Sequence, residues 1–150
     1  MLSDLVQFIK EMGSDPVTFE LPLPPSINKC YRSYGQRTLK SKPYRQWISY
    51  ADGVYRCAGH PTKQLHGKVF VLLEVYQGPG WNPLRDLDNL LKPVQDWIKN
   101  KGLIKEDNSK HVPGCASILL PPEPGQSKAK MVISLIPLER RKPSQTTISN

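Results

Sequence analysis

Several features of exported and membrane proteins are missing from this 150-residue sequence. No apolar run approaches the roughly 18 residues that a membrane-spanning helix needs. Asp4 and Glu11 lie within the first dozen residues, where a signal peptide carries positive charge and an apolar stretch. We therefore expect a cytoplasmic protein that makes no membrane contact.

Cysteine is also scarce, and the few cysteines are not spaced for pairing. Cys30, Cys57 and Cys115 are odd in number and far apart, which favours free thiols over a disulfide framework. Cys57 with His60 and His66 would supply part of a zinc site, but the chain has no CxxC pair, the spacing typical of structural zinc. Zinc binding is therefore not favoured.

Acidic residues are outnumbered, 13 against 21 lysines and arginines, which gives a net charge of +8. An excess of positive charge favours an anionic partner, and nucleic acid is the commonest such partner. An anionic membrane surface, or a charge that serves only solubility, would also be consistent with this composition. The segment from Asn28 to Arg45 has no acidic residue, and its basic residues alternate with tyrosines. We predict that it contacts DNA, the alternative being a solvated loop. The predicted contacts are Lys29, Arg32, Arg37 and Lys40, with Arg85 further along the chain.

The hydrophobic pattern predicts one small α+β domain, with a mixed sheet of three to four strands and two to three helices. Helices are predicted over residues 1–12, over 43–57 and up to about 101, and strands over 17–21, 69–76, 111–120 and 128–138. The strand at 69–76 is apolar on both faces and should be central, whereas the strand at 17–21 runs into prolines and should be an edge. We divide the chain into a helical extension (1–16), the main domain (17–138) and a flexible basic tail (139–150).

Carboxylates are concentrated in one window of this basic chain, at Asp86, Asp88, Asp96, Glu106 and Asp107. Residues two apart on a helix point about 200° from each other. Asp86 must therefore lie in the loop or at the cap for its carboxylate to converge with that of Asp88. A purely structural alternative is that these aspartates cap a helix.

Lys92 follows Asp88 by four positions and so shares its helical face. It forms either an ordinary ion pair or an ammonium group that neutralises charge on a phosphate. Gly102 should end the helix, after which the chain can return beside it and bring Asp107, or Glu106 in its place, towards Asp86. Asp96 is a lesser candidate that pairs with Lys92 or Lys99.

Three carboxylates with positions open to water suit magnesium, or manganese, because these hard cations prefer oxygen ligands. Such an ion polarises a phosphodiester and activates an attacking water. The residues alone therefore predict a metal site on a protein that also attracts DNA.

The string Asp86-Leu87-Asp88-Asn89-Leu90-Leu91-Lys92, followed by Asp107, resembles the RusA-like family of Holliday junction resolvases. Leu21-Pro22-Leu23-Pro24-Pro25-Ser26-Ile27-Asn28 and Tyr31-Arg32 are similar to the opening strand and loop of that family. The resemblance extends from about residue 17 to about residue 137. The family's run of arginines before the aspartates is replaced here by Gly80-Trp81-Asn82-Pro83-Leu84-Arg85, so one charge is kept and Trp81 is expected to make a different contact.

The resemblance implies a homodimeric, magnesium-dependent endonuclease of DNA recombination and repair that nicks two strands of a four-way junction symmetrically. It implies that Asp86, Asp88 and Asp107 are metal ligands and that Lys92 is catalytic with them. Two other functions remain open: a catalytically silent DNA-binding protein, and a nuclease for other branched DNA such as flaps and forks.

Overall fold

An eight-residue strand, Val69–Tyr76, runs through the middle of the fold and pairs on both sides. The computed structural model describes residues 1–59 and 63–138, so the predicted tail at 139–150 and His60 lie outside the described residues. The elements, in chain order, are α1 (Leu2–Glu11), β1 (Val17–Leu21), a 3₁₀ turn (Ile27–Lys29), β2 (Tyr31–Tyr34), β3 (Arg37–Lys40), α2 (Lys42–Cys57), β4 (Val69–Tyr76), α3 (Asp88–Asn100), β5 (Gly114–Leu120) and β6 (Lys130–Pro137).

The main sheet has the strand order β1-β6-β4-β5. β4 is parallel to β5 and antiparallel to β6, and β1 adds to β6 as an antiparallel edge. β2 and β3 form a separate antiparallel hairpin. The predicted α+β class is confirmed, and so are the central position of β4 and the edge position of the first strand.

Two layers of helices cover the main sheet because β4 is apolar on both faces. Alternate residues such as Val71 and Leu73 face the core beneath α2 and α3, which centres on the ring of Trp97. That ring packs against Tyr55, with 5.6 Å between ring centres. Leu72 points to the other face and packs with Val6 and other residues of the α1 side.

Parallel strands need a crossover connection, and α3 supplies the one between β4 and β5. The helix ends as predicted at Gly102, which has φ of 74° and donates its N–H to Lys99 O at 2.9 Å. Leu103 N–H reaches Ile98 O at 3.1 Å, which completes a Schellman-type ending. Leu103 and Ile104 are buried, so the chain turns back against the core after α3.

Helix α1 docks on the opposite side of the sheet from α3. Its Val6 and Ile9 are buried there, and Lys10 Nζ lies 2.9 Å from Glu74 Oε1 of β4. The chain then passes very close to β6, where Ser14 donates its N–H to Pro137 O at 2.9 Å. Within the two described ranges, no helix is long and apolar enough to cross a membrane.

Gly13→Ala should lower the free energy of unfolding by about 1–3 kcal/mol, the usual cost of overpacking. A Cβ at this position would lie 2.1 Å from Pro137 O, so α1 or β6 would have to move. Gly53→Ala is the matched control, because Gly53 lies within α2 with no atom within 4 Å of an added Cβ. That control should stabilise the protein by about 1 kcal/mol. Urea unfolding measures both, and equal effects of the two substitutions would contradict the docking of α1.

Candidate active site

Asp86 and Asp88 lie where the loop after β4 becomes α3. Asp88 is the first residue of the helix, and Asp86 lies two positions earlier, in the loop. This is the arrangement predicted from the angle of about 200° between residues two apart on a helix. Both side chains are exposed. The helix cap is Leu87, and no side chain makes a capping hydrogen bond there. Capping therefore does not account for the two carboxylates, although the negative charge of Asp88 suits the first turn of a helix.

A cleft of about 340 Å³ opens beside Asp86, and Lys29, Arg85 and Asn89 also line it. The Arg85 guanidinium donates to Pro24 O, and burial lowers the pKa of this side chain. Its Nε is buried without a partner among the described residues. The side chain predicted to contact DNA is thus held against the Pro24 backbone in the lining of a cleft, and its role with DNA stays a prediction.

Lys92 lies one turn further along α3 and holds two carboxylates. Its Nζ is 2.8 Å from Asp96 Oδ1 and 2.7 Å from Asp107 Oδ2. The hydrogen bond to Asp107, followed by the one to Asp96, raises the pKa of Lys92. The same bond from Lys92 holds the pKa of Asp107 below its usual value. Both shifts favour the charged forms of Lys92 and Asp107, as expected for an ion pair.

Asp96 extends this network to the β2–β3 hairpin. Tyr31, the first residue of β2, donates its hydroxyl to Asp96 Oδ2 at 2.8 Å. Burial, with a further contribution from this hydrogen bond, raises the pKa of Tyr31 to about 12. The pairing of Asp96 with Lys92 follows the predicted four-residue spacing. The contact with Tyr31, from 65 positions away in the chain, had no signal in the sequence.

The segment after Gly102 does return beside α3, as its length allowed. Glu106 Oε2 lies 3.0 Å from Lys99 Nζ, whereas Asp107 points to Lys92 and its Oδ1 is 4.0 Å from Lys99. The two neighbouring carboxylates are thus directed to different lysines. Asp107 is the one that lies in the same network as Lys92.

The predicted metal ligands have suitable chemistry but are not gathered into one site. Across residues 1–59 and 63–138, no three side chains of Asp, Glu, His or Cys lie close enough together to hold a metal ion. Asp107 is occupied by the Lys92 ammonium group at 2.7 Å. Asp86 and Asp88, by contrast, make no ion pair with any described residue. Asp107 is thus held through Oδ2 in an ion pair with Lys92, and the assignment of Asp86, Asp88 and Asp107 as metal ligands stays a prediction.

The predicted DNA contacts of the basic segment lie on a hairpin instead of a loop. Arg32 is in β2, Arg37 and Lys40 are in β3, and Lys29 lies in the turn before them. All four side chains are exposed. Gly35, with φ of 58°, makes the hairpin turn. The β2–β3 hairpin and the turn before it therefore carry all four charges.

A comparison with known protein families finds a match. The family model of endodeoxyribonuclease RusA matches residues 22–112, which include the hairpin, α3 and the segment that carries Asp107. α1 and β6 lie outside the matched residues. A search of curated proteins finds no match.

Lys92→Met should raise the pKa of Asp107 towards the usual range of an aspartate. The substitution removes the hydrogen-bond donor that favours the charged carboxylate, and leaves Asp107 near the negative charge of Asp96. Carbon-detected NMR titration of the carboxyl groups measures the shift. Lys99→Met is the control and should have a smaller effect, since Lys99 is 4.0 Å from Asp107. An unchanged Asp107 pKa in Lys92→Met would contradict the ion pair.

Proposed function

Because this chain belongs to the endodeoxyribonuclease RusA family, we propose that it is a metal-dependent nuclease that cuts four-way DNA junctions. The observation that carries the proposal is the location of Asp86 and Asp88. Both are exposed at the start of α3, neither caps the helix, and Lys92 follows on the next turn. A carboxylate pair kept open on the surface of a basic protein suits a cation that must meet a phosphate.

In this proposal the ligands of the ion are Asp86, Asp88 and Asp107. Magnesium or manganese is the cation that three carboxylates with open positions prefer. Such an ion, when bound, polarises the phosphodiester that is hydrolysed. In this proposal Asp107 leaves Lys92 to join the other two carboxylates, so the lysine and the ion are alternative cations for the same side chain.

Lys92 has a second role once Asp107 is released. Its ammonium group stays tied to Asp96 at 2.8 Å, which limits how far it can move. An ammonium group held beside the scissile phosphate stabilises the negative charge that develops there during cleavage. Asp96 and Tyr31 act through Lys92 as positioning residues in this account.

DNA is held by the basic hairpin and by the cleft next to Asp86. Lys29 lines that cleft, and Arg32, Arg37 and Lys40 extend the positive charge away from it. Contacts between basic side chains and phosphates weaken strongly as the salt concentration rises, and they do not depend on the base sequence of the DNA. Arg85, which also lines the cleft, contributes its charge to a phosphate that approaches Asp86.

The proposed enzyme acts as a homodimer in DNA recombination and repair. A four-way junction has two strands to be cut at equivalent positions, and a two-fold dimer presents two equivalent sites. Paired, symmetric nicks are the product that such an arrangement gives.

Asp88→Asn should reduce cleavage of a four-way junction by at least about 100-fold, because one ligand charge is lost. Binding of the junction should persist, since the hairpin is untouched. The assay incubates junctions labelled on each strand with magnesium or manganese and resolves the nicks. Asp4→Asn is the charge-matched control, because Asp4 is exposed on α1, and it should cut normally. Cleavage at the native rate by Asp88→Asn would overturn the site.

The same assay separates the remaining functions when flaps, forks and linear duplex are included. Preferential cutting of flaps or forks would assign a different branched substrate to the same site. Tight junction binding without cleavage in either metal would identify a DNA-binding protein that does no chemistry.

A further inference from the structure

The segment from Asn28 to Arg45 contains three tyrosines, and the fold places each of them in a different environment. Tyr44 is fully buried and donates its hydroxyl to Pro93 O at 2.8 Å. Tyr31 is partly buried and bonded to Asp96. Tyr34, at the end of β2, is 64% exposed. It is the one tyrosine of the three that presents its ring to solvent.

The strand register of the β2–β3 hairpin determines which side chains lie on the same face as Tyr34. Tyr34 is opposite Arg37, and Arg32 is opposite Leu39. Directly opposed residues of antiparallel strands share a face, and so do residues two apart. These four side chains therefore lie on one face, while Tyr31 points to the other face and towards Asp96. We call this set of four the outer hairpin face.

The outer hairpin face is partly apolar although it projects from the domain. Leu39 is 51% exposed, in addition to Tyr34. Phosphate oxygens accept hydrogen bonds from cationic side chains and from hydroxyl groups, including that of tyrosine, but a tyrosine ring and a leucine side chain offer them no bond. Aromatic rings do stack on nucleic acid bases, whose flat faces are open where the DNA is unpaired or unstacked. The combination of two arginines, a tyrosine and a leucine therefore suits DNA with accessible bases better than an intact duplex.

We propose that the outer hairpin face binds the open bases at the branch point of the DNA substrate. Tyr34 stacks on a base, Leu39 packs beside it, and Arg32 and Arg37 hold the flanking phosphates. This inference rests on the proposed function for its substrate and adds to it the element that distinguishes a junction from a duplex. In a duplex the bases are stacked on one another, so the ring of Tyr34 has no base to cover.

A neighbouring groove of about 780 Å³ gives the strand a path away from the hairpin. Lys42 and Arg45 of α2 line it together with Arg32, Tyr34 and Leu39. The base of the hairpin is tied to the candidate active site through Tyr31, Asp96 and Lys92. Tyr34 belongs to the same short strand as Tyr31, so the outer hairpin face is carried by an element that is tied to α3.

The test compares Tyr34→Ala, Tyr34→Phe and the control Tyr50→Ala, all in the Asp88→Asn background so that DNA is not cut. Tyr50 is a good control because it is 60% exposed and lies on α2. Fluorescence anisotropy without metal gives the Kd for a four-way junction and for a duplex of the same sequence. Tyr34→Ala should weaken junction binding about tenfold, the size expected for one lost stacking contact, with little change for the duplex. Tyr34→Phe and Tyr50→Ala should bind as the background does.

A second readout uses 2-aminopurine at the branch point. Its fluorescence should fall on binding, because Tyr34 stacks on it, and should fall much less with Tyr34→Ala. Arg32→Ala with Arg37→Ala should instead weaken junction and duplex binding alike and flatten the salt dependence.

The proposal is overturned if Tyr34→Ala leaves the ratio of junction to duplex affinity unchanged. It is overturned equally if the background protein has no preference for the junction. Cleavage by the native protein tests the proposed function separately, so a protein that cuts junctions with an unchanged affinity ratio in Tyr34→Ala keeps its function and loses only this hairpin role.

Discussion

The ammonium group of Lys92 joins the three parts of the molecule that carry the candidate chemistry. It belongs to α3, it binds Asp107 from the returning segment at 2.7 Å, and through Asp96 it is linked to Tyr31 at the base of the hairpin. The Lys92 side chain is 50% exposed, and such pairs contribute little to stability. The ion pairs of Lys92 instead fix the position of Asp107, because they hold its carboxylate next to the ammonium group.

The crossover between β4 and β5 determines where the Lys92 ion pairs lie in the fold. A parallel pair of strands requires the connection to cross one face of the sheet, and α3 therefore starts and ends at opposite ends of that face. Since α3 ends at Gly102 with buried Leu103 and Ile104 behind it, the chain is directed back towards the second turn of α3. Helix α1, which lies outside the matched family residues, covers the other face and leaves the candidate active site open.

The parts of the site that depend on local geometry could be predicted from the sequence. The angle between helical positions required Asp86 to precede the helix that contains Asp88, and glycine at position 102 indicated where that helix ends. The two strands of the hairpin were not among the predicted strands, because they are four residues each and carry no alternating apolar pattern. The partners of long side chains could be predicted only in part. The pairing of Lys92 with Asp96 was one of the alternatives, but the contacts of Lys92 with Asp107 and of Arg85 with the Pro24 backbone had no signal in the sequence. These choices depend on tertiary contacts between distant segments.

The exchange of cations at Asp107 is the central claim, and a crystal structure of the protein soaked with manganese tests it most directly. Anomalous scattering locates the ion without reference to activity. The account predicts one manganese ion bound by Asp86, Asp88 and Asp107, with Lys92 Nζ moved away from Asp107 and still close to Asp96. A structure in which Asp107 remains paired with Lys92 and no ion contacts Asp86 or Asp88 would contradict it.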